Sequence, residues 1–124
     1  MAPRMLLVDD ETPILGALVE YFTTLGWTVC AAQEFEEAAA LLETTSFDLV
    51  VADIRLGGIH SHEGLALLAE VRARGLATRV VLMTAFLTPQ VEAEAARLGA
   101  DALLSKPVPL STLAAVAAKS GAPV

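Results

Sequence analysis

Five polar residues in this chain stand where an apolar run stops. Met5-Leu6-Leu7-Val8 is followed at once by Asp9 and Asp10, Leu49-Val50-Val51-Ala52 by Asp53, Val80-Val81-Leu82-Met83 by Thr84, and Ala102-Leu103-Leu104, one residue further on, by Lys106. If the runs are neighbouring strands, three carboxylates, a hydroxyl and an ammonium collect at one edge. Two carboxylates about 4 Å apart repel by about 4 kcal/mol at an effective dielectric of about 20. Crowding three raises at least one pKa unless a cation intervenes. Lys106 offsets part of that charge and a hard divalent cation offsets the rest. Mg²⁺ takes octahedral oxygen ligation through one or two carboxylates, with waters and phosphate oxygens completing its shell. An aspartate held beside Mg²⁺ and an ammonium is a competent nucleophile toward phosphorus, because the cations neutralise the transferring group. These residue types read as a phosphoryl-acceptor site.

The elements that must position them follow from a hydrophobic pattern that switches repeatedly between two periods. After the first run, Thr12-Pro13 signals a helix start, with Thr12 as N-cap and Pro13 in the first helical position. Ile14, Leu15, Leu18, Phe22 and Leu25 then keep helical spacing up to Gly26, a C′ glycine. Trp27, Val29 and Ala31 alternate as a strand, and Phe35, Ala38, Ala39 and Leu42 mark a second helix beside the solvated acids Glu36, Glu37 and Glu43. Gly64 to Arg74 reads as a helix with Leu65, Leu68 and Val71 inward, stopped by Gly75. Pro89 to Leu98 is a helix closed by Gly99, Leu110 to Lys119 is the last helix, and Gly121-Ala122-Pro123-Val124 is expected to fray. Five strand–helix pairs in strict alternation predict an α/β domain, a doubly wound parallel sheet with helices on both faces. In such a sheet ligands bind outside the carboxyl ends of the strands, where the strand order reverses. The five polar residues stand at those ends.

Composition sets the outer bounds. A chain of 124 residues suits one domain, expected to span 1–124. With 55% hydrophobic residues and a mean hydropathy of +0.60, it is not a disordered segment. No apolar run approaches the ~20 residues that cross a bilayer, and the opening shows no signal peptide; the expectation is a cytoplasmic protein. Eight basic against fifteen acidic residues leave a net charge of −7, which argues against direct nucleic-acid binding. The single cysteine, Cys30, excludes an internal disulfide and reads as a half-buried apolar strand residue, not a reactive thiol. Tyr21 and Trp27 read as core or strand-edge aromatics. Glu34, Glu36 and Glu37 read as a solvated helix start, and His60-Ser61-His62 as a solvated pair of imidazoles, not metal ligands.

The pieces Leu6-Leu7-Val8-Asp9-Asp10-Glu11, Phe47-Asp48-Leu49-Val50-Val51-Ala52-Asp53-Ile54, Val80-Val81-Leu82-Met83-Thr84-Ala85, and Leu98-Gly99-Ala100-Asp101 through Leu104-Ser105-Lys106-Pro107 resemble the receiver domain of two-component response regulators. Order and spacing hold over essentially the whole chain. The resemblance implies a flavodoxin-like sheet of strand order 2-1-3-4-5, with no effector domain in this chain. Asp53 would be the phosphoacceptor, receiving its phosphoryl group from a sensor histidine kinase or phosphotransfer protein and switching the binding of a downstream partner. Asp10, Asp53 and the backbone carbonyl of Arg55, with Asp9 partly through water, would hold Mg²⁺. Lys106 would pair with one phosphoryl oxygen and Thr84 would swing its hydroxyl toward another. Ala85 would leave room for the group and offer its N–H. The Lys106–Pro107 bond would be cis. The domain would also hydrolyse its own aspartyl phosphate, with Arg55 and Phe86 beside the water's path.

Three departures from the family stand out. Leu103 occupies the position where most members carry Tyr, Phe or His, which weakens or replaces the usual aromatic switch. Leu56-Gly57-Gly58 replaces the family's Met-Pro, in a segment running through Ile59-His60-Ser61-His62-Glu63 that is longer than usual before Gly64. The last helix is almost all small or apolar, so the charged dimer face of many DNA-binding members is absent and a core-facing helix is the simpler reading. Two other functions remain in view. One is a pseudo-receiver used only for docking. The other is a phosphatase resembling the haloacid dehalogenases, with Asp9 as nucleophile and Glu11, Thr84 and Lys106 in support; it leaves Asp53 without a role, and no Asp or Glu beyond Asp101 supplies its later metal ligands.

Overall fold

Strands that are apolar on both sides must be covered on both sides, and five helices supply the cover. The computed structural model describes residues 2–55, 62–75 and 77–119. The elements alternate as β1 (Arg4–Val8), α1 (Thr12–Thr24), β2 (Thr28–Ala32), α2 (Phe35–Thr44), β3 (Leu49–Asp53), α3 (Glu63–Ala73), β4 (Arg79–Thr84), α4 (Pro89–Leu98), β5 (Ala102–Ser105) and α5 (Leu110–Ala118). The strands form one parallel sheet of order β2-β1-β3-β4-β5, the expected arrangement. The order reverses between β1 and β3, so the chain winds outward in both directions from that pair.

Successive strand residues point to opposite faces, and the core accordingly divides in two. Met5, Leu7, Leu49, Val51, Val81 and Met83 pack with Leu15, Leu18 and Phe22 of α1 and Leu113 and Ala117 of α5. Leu6, Val8, Val50, Ala52, Val80 and Leu82 pack with Ala38 and Leu42 of α2, Leu65, Leu67, Leu68 and Val71 of α3, and Ala95 of α4. Trp27 is buried in the first layer and Cys30 is half-buried against the second, as the sequence suggested.

Local departures have simple causes. The N-cap of α1 is Glu11, not Thr12: the Asp9 side chain accepts the Glu11 N–H at 2.9 Å, and the Glu11 carbonyl already accepts the first helical bond from Leu15. Ile14 is 38% exposed because it sits about 100° round the helix from the buried Leu15. Leu25 is the C-cap, where the chain turns outward. Ala31 is exposed near the end of the edge strand β2. Helix α3 starts and stops one residue earlier than expected, and Lys119 is the C-cap of α5. Glu37 is more than solvated: its carboxylate accepts the Gln33 N–H at 2.7 Å. Gly26, Gly75 and Gly99 stop their helices at positive φ, a conformation that favours a residue without Cβ.

Candidate functional site

Alternation decides which strand-end residues meet. Asp9 continues the row of Met5 and Leu7, Asp53 that of Leu49 and Val51, and Lys106 that of Ala102 and Leu104. All three rows lie on the α1/α5 side. The Lys106 ammonium donates to Asp53 Oδ2 at 2.7 Å and to Asp9 Oδ2 at 3.1 Å, and stands 3.7 Å from Glu11 Oε1. The Lys106 N–H donates to the Thr84 carbonyl at 2.8 Å, and the Lys106–Pro107 bond is cis.

The two buried aspartates are held in the same way. Asp9 Oδ1 accepts the N–H of Glu11 at 2.9 Å, and Asp53 Oδ1 accepts the N–H of Arg55 at 3.0 Å. Each is an Asx turn, in which a strand-end carboxylate bonds the backbone two residues on. One oxygen is thereby fixed and the other left for Lys106. Asp9 is 1% and Asp53 6% exposed, whereas Asp10 and Glu11 are open to solvent. Carboxylate oxygens of Asp9, Asp10, Glu11 and Asp53 all lie within 4.8 Å of one another. Burial, above all, pushes the Asp9 carboxyl above the usual range; the bonds to Glu11 and Lys106 pull it back, and the charge of Asp53 adds a smaller push. The crowding anticipated from sequence is therefore real, but at Asp9 desolvation outweighs repulsion. Burial also pushes the Lys106 ammonium down, and the bonds to Asp53 and Asp9 more than reverse it, to about 12. Lys106 remains a full cation at neutral pH.

An open cleft of about 290 Å³ exposes part of this cluster, lined by Asp10, Glu11, Asp53, Arg55, Ala85, Phe86 and Lys106. Asp53 thus faces the cleft, whereas Asp9, 1% exposed, is not among the residues that line it. That arrangement disfavours Asp9 as a nucleophile. The Arg55 guanidinium lies 4.1 Å from the centre of the Phe86 ring, a cation–π contact beside the mouth. Thr84 is buried and its hydroxyl accepts the Phe86 N–H at 3.0 Å. By alternation it belongs to the row of Val80 and Leu82, so it approaches from the other layer. Leu103 is half-buried in that second layer. It lines a hollow of about 270 Å³ with Leu87, Glu92, Ala95, Ala96, Ala100 and Ala102.

Two residues of consequence were not assigned to the site from the sequence. Glu11 has a role only in the phosphatase reading, yet its carboxylate joins the acidic cluster; the Asp-Asp-Glu run after β1 is the available signal. By sequence Gly64 is only a helix start. A Cβ there would collide with the Asp53 carbonyl oxygen and stand 2.5 Å from Ile54 Cα, and the Gly64 N–H donates to the Ile54 carbonyl at 2.9 Å. The start of α3 therefore rests directly on the backbone that carries Asp53. Leu56, Gly57, Gly58, Ile59, His60 and Ser61, with their altered loop, lie outside the described residues, as do Gly121 to Val124. Among the described residues no helix is long and apolar enough to cross a membrane.

Comparison with known proteins agrees with this geometry. The family model of the response regulator receiver domain matches residues 5–118. The alginate biosynthesis transcriptional regulatory protein AlgB of Pseudomonas aeruginosa is 37% identical over 116 residues, 94% of this chain and 25% of AlgB. Protein PetR of Rhodobacter capsulatus is 33% identical over 105 residues, 85% of this chain and 43% of PetR. The chain thus spans less than half the length of either relative. Among solved structures, the non-phosphorylated HemR receiver domain from Leptospira biflexa superposes with a TM-score of 0.85 at 27% identity, covering 95% of this chain and 93% of that one. A CheY-like receiver domain protein from Methanospirillum hungatei gives 0.85 at 26% identity, covering 97% and 94%. Phosphorylation on aspartate is general in this family, whose members bind Mg²⁺ at an acidic cluster and interact with histidine kinases or other phosphodonors. The chain belongs to the response regulator receiver domains.

Proposed function

We propose that Asp53 is the phosphoacceptor and that the chain works as a Mg²⁺-dependent phosphoryl switch in the cytoplasm, fed by a histidine kinase or phosphotransfer protein. One observation carries this reading: Asp53 lines the open cleft with Asp10 and Glu11, its backbone-tied carboxylate bonded to Lys106. The donor set fits a hard divalent cation, because four carboxylates crowd one ammonium. Asp10 and Asp53, with the Arg55 carbonyl and Asp9 partly through water, would hold it. When bound, the ion supplies charge neutralisation for the transferring phosphoryl group.

In the proposed transfer a carboxylate oxygen of Asp53 attacks phosphorus as the phosphorus–nitrogen bond of a phosphohistidine breaks. The electron pair stays on the imidazole, which takes a proton from solvent. Lys106 holds its positive charge against the arriving phosphoryl oxygens, Ala85 adds no bulk beyond a methyl group and offers its N–H, and Thr84 brings a hydroxyl from the other layer. In autodephosphorylation, water adds to phosphorus and the Asp53–phosphorus bond breaks, returning the carboxylate and inorganic phosphate. Phe86 cannot orient that water by hydrogen bonding; Arg55, stacked on it, narrows the approach. The switched partner is a downstream protein or an effector domain. Leu103 with its alanine-lined hollow takes the place of a swinging ring.

Incubation with acetyl phosphate and Mg²⁺ is expected to add one phosphoryl group by mass spectrometry, and none in Asp53→Asn. Label retained by that variant would move the nucleophile to Asp9. No gain in the wild type, with a melting temperature indifferent to saturating Mg²⁺, would leave a docking module.

A further inference from the structure

The described residues carry a second polar cleft at the opposite rim, separated from Asp53 by the length of β3, roughly 13 Å at the usual rise per residue. Its volume is about 620 Å³, within the range of small-molecule sites. It lies where α2 hands over to β3 (Leu42 to Asp48), where β4 begins (Ala77 to Arg79), and at Lys119, the C-cap of α5. The frame is tied: the Thr78 hydroxyl donates to the Phe47 carbonyl at 2.8 Å and the Arg79 N–H to the Asp48 carbonyl at 3.1 Å.

The charges in this cleft are unevenly engaged. Its acids are committed elsewhere. Glu43 faces Arg74 at 3.6 Å, and Asp48 Oδ2 accepts the Arg4 N–H at 2.8 Å. Its cations are held more loosely. Arg79 Nε is buried without an acceptor, and the nearest carboxylate to the guanidinium is Asp101, 3.9 Å from Nη1. Lys119, one of only two lysines in a chain of net charge −7, has no ion-pair partner among the described residues. Nε itself is closed to solvent, but the Arg79 side chain is 37% exposed, so part of it is reachable by an acceptor arriving in the cleft. The hydroxyls of Thr45 and Ser46 offer further donors, and Leu42, Phe47 and Ala77 give an apolar wall.

We propose that this cleft binds a compact organic anion, its phosphate or carboxylate group held by Arg79 and Lys119 and its carbon body laid against Phe47 and Leu42. The site is independent of Asp53 and of the acidic cluster, and needs no divalent metal.

Phenyl phosphate and phenylacetate, titrated separately into the ¹⁵N-labelled chain without divalent cations, test it and separate the two headgroups. The expected result is saturable amide shifts at Ser46, Phe47, Thr78, Arg79 and Lys119 with at least one probe, at physiological salt. Losing one charge-assisted contact is expected to weaken binding roughly tenfold or more in Arg79→Gln and in Lys119→Gln. Lys119 is exposed at a helix end, so that variant stays informative if Arg79→Gln disturbs folding. Shifts confined to the Lys106 rim, shifts that do not saturate, or unaltered affinity in the Lys119 variant would overturn the proposal.

Discussion

At the amino-terminal rim of the sheet, Arg72 gathers acceptors around one cation: Gly99 O at 3.2 and 2.9 Å, Thr78 O at 2.6 Å and Asp101 Oδ2 at 2.9 Å. Asp101 Oδ2 also accepts the Val80 N–H at 2.8 Å. At the carboxyl rim, Lys106 also gathers oxygens around one cation, but these are carboxylates of Asp53, Asp9 and Glu11, with Asp10 beside them. The first knot sets Asp101 against the Arg72 guanidinium, with Arg79 more loosely at 3.9 Å, and Arg72 gives further donors to carbonyls, joining the ends of α3 and α4 to the start of β4. The second leaves negative charge in surplus. Donors met by carbonyls and a carboxylate hold a fold together, whereas a surplus of carboxylates reserves affinity for a cation that arrives later.

The sharpest break comes at Gly64, where α3 rests on the backbone of Asp53 and Ile54. Gly64→Ala forces a Cβ against the Asp53 and Ile54 backbone, and is expected to cost about 3 kcal/mol by denaturant unfolding. It should also slow phosphorylation by acetyl phosphate under conditions where the variant is folded. Next, Asp101→Ala strands the Val80 N–H and loosens Arg72, an expected loss of about 2 kcal/mol in the same measurement. The opposite sign is expected across the sheet: Asp9→Asn relieves crowding while keeping an acceptor for the Glu11 N–H. Its melting temperature in the absence of metal should match or exceed that of the wild type, by an amount worth about 1 kcal/mol at most. A large drop there would erase the distinction between the rims.

The smallest effect belongs to an exposed pair on neither rim. The bond from Arg97 holds the Glu94 carboxyl below its usual range. Any stability it lends is therefore present above the ordinary glutamate pKa and lost as pH falls through the lowered one. Both groups are solvated, so Glu94→Gln should leave the melting temperature unchanged at neutral pH, with or without added salt.

Much of this was legible in the sequence because two periodicities suffice for it. Apolar runs such as Leu49 to Ala52 mark strands covered on both faces, and alternation along β1, β3 and β5 is enough to put Asp9, Asp53 and Lys106 on one side. Chain-order spacing cannot convey close approach. Gly64 looks like any helix-start glycine until α3 is laid on Asp53. Glu11 looks solvated until Lys106 arrives from the far end of the chain. Thr12 lost the cap to Glu11 because Asp9 spends an oxygen on the turn, a competition between neighbours that residue preferences do not weigh.

Because the sheet is a single backbone thick, Met83 and Thr84, or Leu103 and Leu104, are bonded neighbours that answer to different helical layers. A displacement of Met83 or Leu104 in one layer is therefore handed to Thr84 or Leu103 in the other across a single peptide link.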